Sequence, residues 1–280
     1  GRRNRNRRPL VFRIRKIKSR VIKTMVRPKK HLGQHFLTDK NIAGKIAGCL
    51  SEDCKTVCEL GPGTGILTDA LLQKTFIKEL KLIEIDTESV EHLKVTISDN
   101  RIEIVEADFL KFDLTKISSS PFALIGNFPY NISSQIFFKV LENRHLIPET
   151  VGMIQKEVAE RIVAPPGSKT YGILSVLLQT WFDITYCFTV NEGVFFPPPK
   201  VKSAVIRLKR NEVGRLNCDE TLYMNVVKTA FNQRRKTLRN ALKPITGNLI
   251  EHELLKQRAE QLSCHQFEEL TQHIAESINY

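Results

Sequence analysis

Four consecutive residues, Asn127, Phe128, Pro129 and Tyr130, have side chains suited to chemistry on a planar exocyclic amine. The amide oxygen of Asn127 and a backbone carbonyl beside Pro129 can both accept hydrogen bonds from an NH2 group. The Tyr130 ring can stack on the ring that carries the amine. Pro129 fixes its own φ and restricts Phe128, so the turn is pre-set. Asn and Pro are also common in ordinary loops, and this alternative stays open from these four residues alone.

A glycine-rich loop lies upstream of this turn. The apolar run 56–60 predicts a short strand, residues 61–65 are Gly-Pro-Gly-Thr-Gly, and residues 66–72 have helical spacing. This order is the opening of a nucleotide-binding α/β unit, in which glycines let the backbone approach a ligand closely. Ile66 stands where a dinucleotide-binding loop has its third glycine, and no G-x-x-x-x-G-K-[ST] loop occurs. A ligand with a ribose and no phosphates therefore fits better, and S-adenosylmethionine is the candidate.

Two further predicted strands end in acidic residues. The strand over 80–85 ends with Glu84 and Asp86, and an acid about 20 residues past such a loop is placed to bind ribose hydroxyls. The strand over 102–106 leads to Asp108, whose carboxylate can accept a hydrogen bond from an adenine amino group. Asp108 could equally be a helix N-cap or a turn residue.

With these motifs in this order, the chain resembles the ribosomal RNA small-subunit adenine dimethyltransferases. The resemblance rests on residues 29–37, 59–65, 83–86, 107–108, 127–130 and 194–203, and it covers about residues 27–280. The glycine loop is common to many methyltransferases, whereas Gly-Gln-x-Phe-Leu at 33–37 and Phe-x-Pro-x-Pro-x-Val-x-Ser at 195–203 are much narrower. His35 departs from the family, which often has Asn there, although an imidazole can still donate a hydrogen bond to the cofactor or accept one from it.

The resemblance implies methyl transfer from S-adenosylmethionine to N6 of two adjacent adenines, in a hairpin near the 3′ end of small-subunit ribosomal RNA. The residues expected to act on the base are Asn127, Pro129, Tyr130 and Phe196, with the two aromatic rings enclosing it. The residues expected to bind the cofactor are His35, Leu37, Gly61, Gly63, Glu84, Asp108 and Asn127. The sulfonium makes the methyl group electrophilic, so no metal site is predicted.

The distribution of charge favours an RNA partner. Residues 1–30 contain 14 Lys or Arg and no Asp or Glu; removing them from the 43 basic residues leaves 29 against 30 acidic ones in 31–280. Within that nearly neutral body, the run 231–239 holds four cations without an acid, and we predict RNA contacts at Arg234, Arg235, Lys236 and Arg239 on a basic helix. Arg207, Lys209 and Arg210 form a smaller group. A solvated helix face is the alternative for either cluster.

The elements expected to position these residues form an α/β fold. Strand and helix signals alternate from 56 to about 164, which predicts a parallel sheet of the Rossmann-like class I methyltransferase type. Residues 185–190 and 203–208 are expected to pair antiparallel at its edge. After about residue 212 the periodicity is helical, broken at Pro244 and Gly247, which predicts a small all-helical C-terminal domain. The predicted divisions are a basic extension over 1–26, a methyltransferase domain over 27–210 and a helical RNA-binding domain over 211–280.

The cysteines and the N-terminus bear on the compartment. Six cysteines occur without a C-x-x-C pair, so we predict ordinary thiols in a reducing compartment. No apolar run has transmembrane length, and we expect a cytoplasmic monomer. Residues 1–24 are Arg-rich and acid-free, which also suits a mitochondrial or plastid transit peptide, an RNA-binding arm, or sequence ahead of a start at Met25.

Three rival functions remain at this point. The related large-subunit ribosomal RNA adenine methyltransferases share the catalytic motif, and the 194–203 segment favours the small-subunit group over them. A non-enzymatic role in ribosome assembly or mitochondrial transcription is opposed by the intact acids and the intact Asn127–Tyr130 turn. Methylation of adenine in DNA is opposed by the lack of an obvious large DNA-recognition domain. A pre-ribosomal particle is the expected form of the substrate.

Overall fold

The computed structural model describes residues 26–247 and 250–278. The predictions for residues 1–24 and for Met25 as a start lie outside these ranges. The strands are β1 (Phe36–Leu37), β2 (Thr56–Leu60), β3 (Glu79–Glu84), β4 (Ile102–Glu106), β5 (Ala123–Asn127), β6 (Glu149–Gln155), β7 (Phe182–Val190), β8 (Phe195–Phe196) and β9 (Ser203–Arg210).

The α-helices are α1 (Lys40–Ala47), α2 (Ile66–Leu72), α3 (Thr87–Thr96), α4 (Ser133–Glu142), α5 (Lys156–Val163), α6 (Ile173–Trp181), α7 (Glu220–Asn232), α8 (Leu238–Ala241), α9 (Lys243–Thr246) and α10 (Cys264–Ser277). Short 3-10 turns occupy Lys30–Leu32, Leu114–Lys116, Glu192–Val194, Glu253–Lys256 and Ala259–Gln261. Asp39 caps α1, since its carboxylate accepts from the amides of Asn41 at 2.7 Å and Ile42 at 3.1 Å.

Seven strands form one sheet in the order β4-β3-β2-β5-β6-β9-β7. The first five strands of this order run parallel, and β9 lies antiparallel between β6 and the edge strand β7, as the sequence predicted. The chain passes outward from β2 through β3 to β4 and then returns to β5 on the other side of β2. The topological switch point therefore lies between the carboxyl ends of β2 and β5, where open α/β sheets bind ligands.

A second, two-stranded sheet joins two distant segments beside this switch point. β1 pairs antiparallel with β8, so that Phe36 lies opposite Phe196 and Leu37 opposite Phe195. The amide and the hydroxyl of Thr38 both donate to the carbonyl of Val194, at 2.8 and 2.9 Å. These contacts hold the entry segment and the 194–203 segment together at the rim of the main sheet.

The large sheet is buried on both faces. Along β5, Leu124 packs into one hydrophobic cluster, whereas Ala123 and Ile125 pack into the other, because successive strand residues point to opposite faces. The apolar side chains of α1 and α2 cover the second face. This double covering explains the nearly continuous apolar runs of the parallel strands.

The C-terminal region is helical, as predicted. The helices α7 and α10 pack against α6, and the Tyr223 hydroxyl lies 2.8 Å from the Thr180 hydroxyl. Leu208 of the sheet and Phe267 of α10 belong to the same hydrophobic cluster. The domain boundary between residues 210 and 211 stays a prediction.

The predicted helix break at Pro244 is wrong. Pro244 is the second residue of α9, where the amide that it lacks would have no partner within the helix. The interruption falls at Leu242, between α8 and α9. Gly247 does end α9, with a φ of 60°.

Candidate active site

An open cavity lies at the carboxyl ends of β2, β3, β4 and β5. Eight of the predicted site residues line it, and they come from five separate segments of the chain: His35, Gly61, Gly63, Glu84, Asp108, Asn127, Pro129 and Tyr130. Leu37 and Phe196 are not among the lining residues.

Two glycines shape the floor of the cavity. Gly61 and Gly63 have φ angles of 66° and 55°, in the region that L side chains rarely adopt. A Cβ at Gly63 would lie 2.8 Å from the Phe36 ring, so a larger residue would displace that ring. A Cβ at Gly61 would meet no atom within 4 Å, so the backbone there borders open space.

Glu84 is the acid that β3 presents to the cavity. Its side chain is buried and accepts from the amides of Gly63 at 3.0 Å and of Ile85 and Asp86, both at 2.9 Å. Burial raises the pKa of Glu84, and the amide hydrogen bonds oppose that rise. Three of about four acceptor positions of the carboxylate are used, which leaves one for a ligand hydroxyl.

Asp86, the second acid of this strand end, has a structural role. Its carboxylate forms an ion pair with Lys29 and accepts from the Ser89 hydroxyl at 2.9 Å. Burial opposes its ionisation, but the hydrogen bonds from Lys29 and Ser89 outweigh burial and lower the pKa of Asp86. Of the two acids at this strand end, Glu84 lines the cavity and Asp86 does not.

Asp108 caps a turn and also lines the cavity. Its Oδ1 accepts from the amide of Leu110 at 3.0 Å, so it does cap a turn. It also lines the cavity, and its Oδ2 lies 3.6 Å from the exposed ammonium of Lys111. The carboxylate therefore organises its own loop and keeps an acceptor available at the cavity wall.

Asn127 ends β5 with a defined orientation. Its Nδ2 lies 2.8 Å from the carbonyl oxygen of His35, and since a carbonyl only accepts, that side of the amide must be NH2. The amide oxygen is thereby placed as an acceptor with no hydrogen-bond partner among the described residues. The carbonyl of Phe128 is likewise unpartnered within the described ranges, whereas that of Pro129 already accepts from Ile132 at 3.2 Å.

Close packing holds this turn on the sheet. The Phe128 amide donates to the carbonyl of Met153 at 3.0 Å, and its ring is buried. A Cβ at Gly152 would lie 2.6 Å from that ring, so the neighbouring strand leaves room for Phe128 only because it has glycine there. Phe128 is therefore a packing residue of the turn.

Tyr130 is held on two sides. Its hydroxyl lies 2.6 Å from the hydroxyl of the buried Ser203, and its ring stacks on His35 with centroids 5.4 Å apart. Burial raises the pKa of Tyr130. Phe196 is 55% exposed on β8, outside the cavity lining, so the enclosure of a base between Tyr130 and Phe196 stays a prediction.

His35 and Leu37 differ in their relation to the cavity. His35 Nδ1 lies 2.8 Å from the carbonyl of Pro197, which requires the hydrogen on Nδ1. The imidazole thus joins the entry segment to the 194–203 segment. Leu37 is buried in the hydrophobic cluster under α1, and its side chain does not reach the cavity.

Sequence reasoning missed several lining residues. Ile85 is 49% exposed at the cavity, and Gln34 and Phe109 also line it. Ile85 and Phe109 each follow a strand-end acid, and this adjacency was the available signal. Glu59 was also missed: it is buried behind the glycine loop and accepts from Thr68 at 2.7 Å.

The predicted basic helix over 231–239 is wrong. α7 ends at Asn232, and residues 233–237 form the turn before α8, because Gln233 leaves the helical conformation. Arg239 forms two hydrogen bonds with Glu251, at 2.8 and 2.6 Å. Arg234 donates to the carbonyl of Lys169 at 2.5 Å. Only the side chains of Arg235 and Lys236 lack a partner among the described residues.

The three side chains of the smaller basic group each contact another group of the protein. Arg207 pairs with the buried Glu149 at 2.6 Å, and Lys209 pairs with Asp53 at 2.7 Å. Arg210 donates to the carbonyl of Trp181 at 3.0 Å. These contacts tie strand β9 to neighbouring parts of the protein.

The described part of the chain shows no group of three His, Cys, Asp or Glu side chains that could hold a metal ion. The six cysteines are free thiols. None of the helices in the described ranges has both the length and the apolar character needed to cross a membrane.

Two solved structures resemble this fold over most of the chain. A dimethyladenosine transferase from Plasmodium falciparum has a TM-score of 0.72 and 26% identity, with 88% of this chain and 98% of that one covered. The 23S rRNA methyltransferase ErmE has a TM-score of 0.61 and 26% identity, with 85% and 99% covered. The class I methyltransferase fold predicted from the sequence is thus confirmed.

Sequence comparison identifies much closer relatives. A ribosomal RNA small subunit methyltransferase A from Bacteroides thetaiotaomicron is 54% identical over 259 residues, which cover 91% of this chain and 96% of the relative. The protein of the same name from Parabacteroides distasonis is 55% identical over 251 residues, covering 88% and 94%. The profile described as "Ribosomal RNA adenine dimethylase" matches residues 25–276. The chain therefore belongs to the ribosomal RNA adenine dimethylase family.

Proposed function

We propose that this protein methylates N6 of two adjacent adenines twice each, in a hairpin near the 3′ end of small-subunit ribosomal RNA, during ribosome maturation. Its family makes it an adenine dimethyltransferase that uses S-adenosyl-L-methionine. The small-subunit names of its relatives at about 54% identity favour that substrate over large-subunit RNA. One observation carries the mechanism: Asn127 is locked with its amide oxygen as an acceptor at the wall of the cavity.

The residues of the cavity fit this cofactor. Glu84 has an acceptor position left for a ribose hydroxyl, and Asp108 keeps an oxygen available for an adenine amino group. Gly61 borders open space in which a side chain would compete with the ligand. His35 and Gly63 complete the wall. When bound, the cofactor supplies a methyl group that its sulfonium makes electrophilic.

The chemical difficulty lies in the adenine N6, whose lone pair is delocalised into the ring. In the first transfer, hydrogen bonds from its two hydrogens to the Asn127 oxygen and the Phe128 carbonyl would fix the amine and direct the lone pair out of the ring plane. Transfer of the methyl group to N6 releases S-adenosylhomocysteine and a proton, and the one remaining N–H would hold the monomethylated amine for the second transfer. Neither acceptor has a partner among the described residues, which supports this role. Positioning of this kind supplies a large part of a barrier reduction.

Tyr130 and Phe196 would hold the base itself. The Ser203 and His35 contacts fix the Tyr130 ring at the cavity, while Phe196 presents an exposed ring on the rim. Stacking on aromatic side chains is a common way to bind unstacked bases of RNA loops. A target adenine has to leave its own stack to reach Asn127, which favours a hairpin loop as the substrate.

We infer that residues 211–280 form the RNA-binding domain and that Arg235 and Lys236 contact phosphates. Their free ammonium and guanidinium groups sit on the turn between α7 and α8, away from the cavity lining. Phosphate contacts of this type position RNA without reading its sequence. The expected substrate is a pre-ribosomal particle, bound by a monomer.

The test is methylation of purified small-subunit particles, large-subunit particles and naked ribosomal RNA, with the modified positions mapped. Asn127→Ala should lower kcat by about 100-fold, with a smaller effect on KM for RNA, because the bond acts on the reacting amine. Asn191→Ala, at an exposed asparagine whose side chain caps no helix, is the matched control. Modification confined to large-subunit RNA, or wild-type turnover by Asn127→Ala, would contradict the proposal.

A further inference from the structure

Lys139 reaches from α4 into the loop that follows β4. Its Nζ donates to the carbonyls of Phe112 at 2.6 Å and Leu110 at 3.0 Å. The same ammonium lies 5.5 Å from the centroid of the Phe109 ring, within the range of a cation–π contact. Lys139 does not line the cavity, but Phe109 does.

The loop that Lys139 contacts is a single helical turn begun by Asp108. The Asp108 carbonyl accepts from the amides of Lys111 at 3.0 Å and Phe112 at 2.9 Å, and its Oδ1 accepts from Leu110. The carbonyls of Leu110 and Phe112 at the far end of this turn accept from no other group in the described ranges. A turn this short leaves such carbonyls without partners, and a cation at its carboxyl end is favourable.

In a longer helix, backbone amides of the next turn would donate to these carbonyls; here the Lys139 ammonium donates to them instead. Burial lowers the pKa of Lys139, and the charges of Asp108, Glu142 and Asp113 oppose that effect. Lys139 forms no salt bridge with these carboxylates, and no other side chain donates to the same two carbonyls in the part of the chain that the structure describes. Removing it would leave two partly buried carbonyls unpaired, and the turn would have to move to reach water.

The position of Lys139 along the chain adds a second consequence. It lies on α4, the helix that follows the Asn127–Tyr130 turn. Its two hydrogen bonds thus tie the helix behind the catalytic turn to the loop carrying Asp108 and Phe109. Lys139 is therefore a direct side-chain link between these two parts of the cavity wall, in addition to the sheet that carries both.

We propose that Lys139 is a positioning residue that sets the affinity for the adenosyl part of the cofactor by fixing Asp108 and Phe109. The proposal rests on the proposed contact between Asp108 and the adenine amino group. A fixed Asp108 oxygen accepts from an amino group and repels a carbonyl oxygen in the same place. If the loop loosens, the protein should therefore bind the adenosyl ligand less tightly and should discriminate less between an amino group and a carbonyl oxygen at that position.

The experiment compares S-adenosylhomocysteine with S-inosylhomocysteine, in which a carbonyl replaces the amino group, by calorimetry. Lys139→Met should weaken binding of the adenosyl compound about tenfold, as expected for loss of charged hydrogen bonds, and should narrow the preference over the inosyl compound. Lys139→Arg, which retains charged donors, should recover most of the affinity for the adenosyl compound and most of the preference over the inosyl compound. Lys111→Met is the matched control, since Lys111 contacts the Asp108 carboxylate from solvent; it should stay within about twofold of wild type.

The outcomes separate the two proposals. A wild-type protein without preference for the adenosyl compound would contradict the role of Asp108 in the proposed function. A normal wild-type preference that Lys139→Met leaves unchanged would overturn the role of Lys139, even if affinity for both compounds falls equally. Should Lys139→Met fail to fold, Lys139→Gln, which keeps an uncharged NH2 donor group, gives the same ratio test.

Discussion

The buried side chain of Glu59 should make the free energy of unfolding depend on pH. Its side chain is 1% exposed on β2, and its one hydrogen-bond partner among the described residues is the Thr68 hydroxyl, at 2.7 Å. Burial raises the pKa of Glu59 from 4.5 to about 8, the Thr68 bond opposes the rise, and the charges of Glu84 and Asp69 add to it. The folded protein therefore holds a proton here that the unfolded chain releases.

The sign of the effect follows from this proton. Below pH 4.5 both states are protonated, so Glu59 adds no pH dependence. As the pH rises towards 8 the unfolded chain ionises first, and the free energy of unfolding falls until the folded state ionises as well. At about 1.4 kcal/mol per pH unit, the loss amounts to about 3 kcal/mol at pH 7 and to about 5 kcal/mol above the folded-state pKa.

Glu59→Gln should remove this loss, because the amide is neutral and can still accept from Thr68. Urea unfolding of both proteins at about pH 5 and about pH 8 should show the variant gaining stability relative to wild type by several kcal/mol. Glu79→Gln, at an exposed glutamate of β3, is the control and should follow the wild-type profile. Parallel profiles for Glu59→Gln and wild type across this range would refute the reasoning.

Three further predictions concern the cavity and the RNA contacts. Glu84→Ala should weaken binding of S-adenosylhomocysteine by about tenfold or more, because a charged acceptor for the ribose is lost; unchanged affinity by calorimetry would reject Glu84 as the ribose ligand. Tyr130→Phe and Ser203→Ala each remove the same hydrogen bond, so the double variant should have the same kcat as whichever single variant has the lower kcat. If the two reductions in kcat instead multiply, the two hydroxyls act separately. Replacing Arg235 and Lys236 with Ala should reduce the slope of log affinity for RNA against log salt by about 1.8 on a duplex, without changing cofactor affinity. Replacing Arg234 and Arg239, whose side chains already bind protein groups, should change this salt slope less. An equal change would contradict the assignment of the RNA contacts to Arg235 and Lys236.

Much of the fold and site was predictable because the relevant signals are local. The strand, the glycine loop and the following helix are contiguous, and the Asn127–Tyr130 turn directly ends a strand. Parallel strands place their carboxyl ends on one edge of the sheet, so residues at these ends converge whatever the details of packing. Gly61, Glu84, Asp108 and Asn127 were found for this reason, although their contacts with a ligand stay predictions.

The tertiary structure decided what each polar side chain faces. The sequence of the 231–239 run determined four cations, but the fold pairs Arg239 with Glu251 and directs Arg234 to the carbonyl of Lys169, 65 residues away. These partners are 12 and 65 residues away along the chain, beyond the spacing of three or four residues at which a helical pattern brings side chains together. The same reason applies to Tyr130 and Ser203, 73 residues apart. The sequence by itself determined the α/β order and the edge of the sheet where the predicted site residues converge. Long-range packing decided which of the charged side chains pair within the protein and which side chains hold the cavity wall in place.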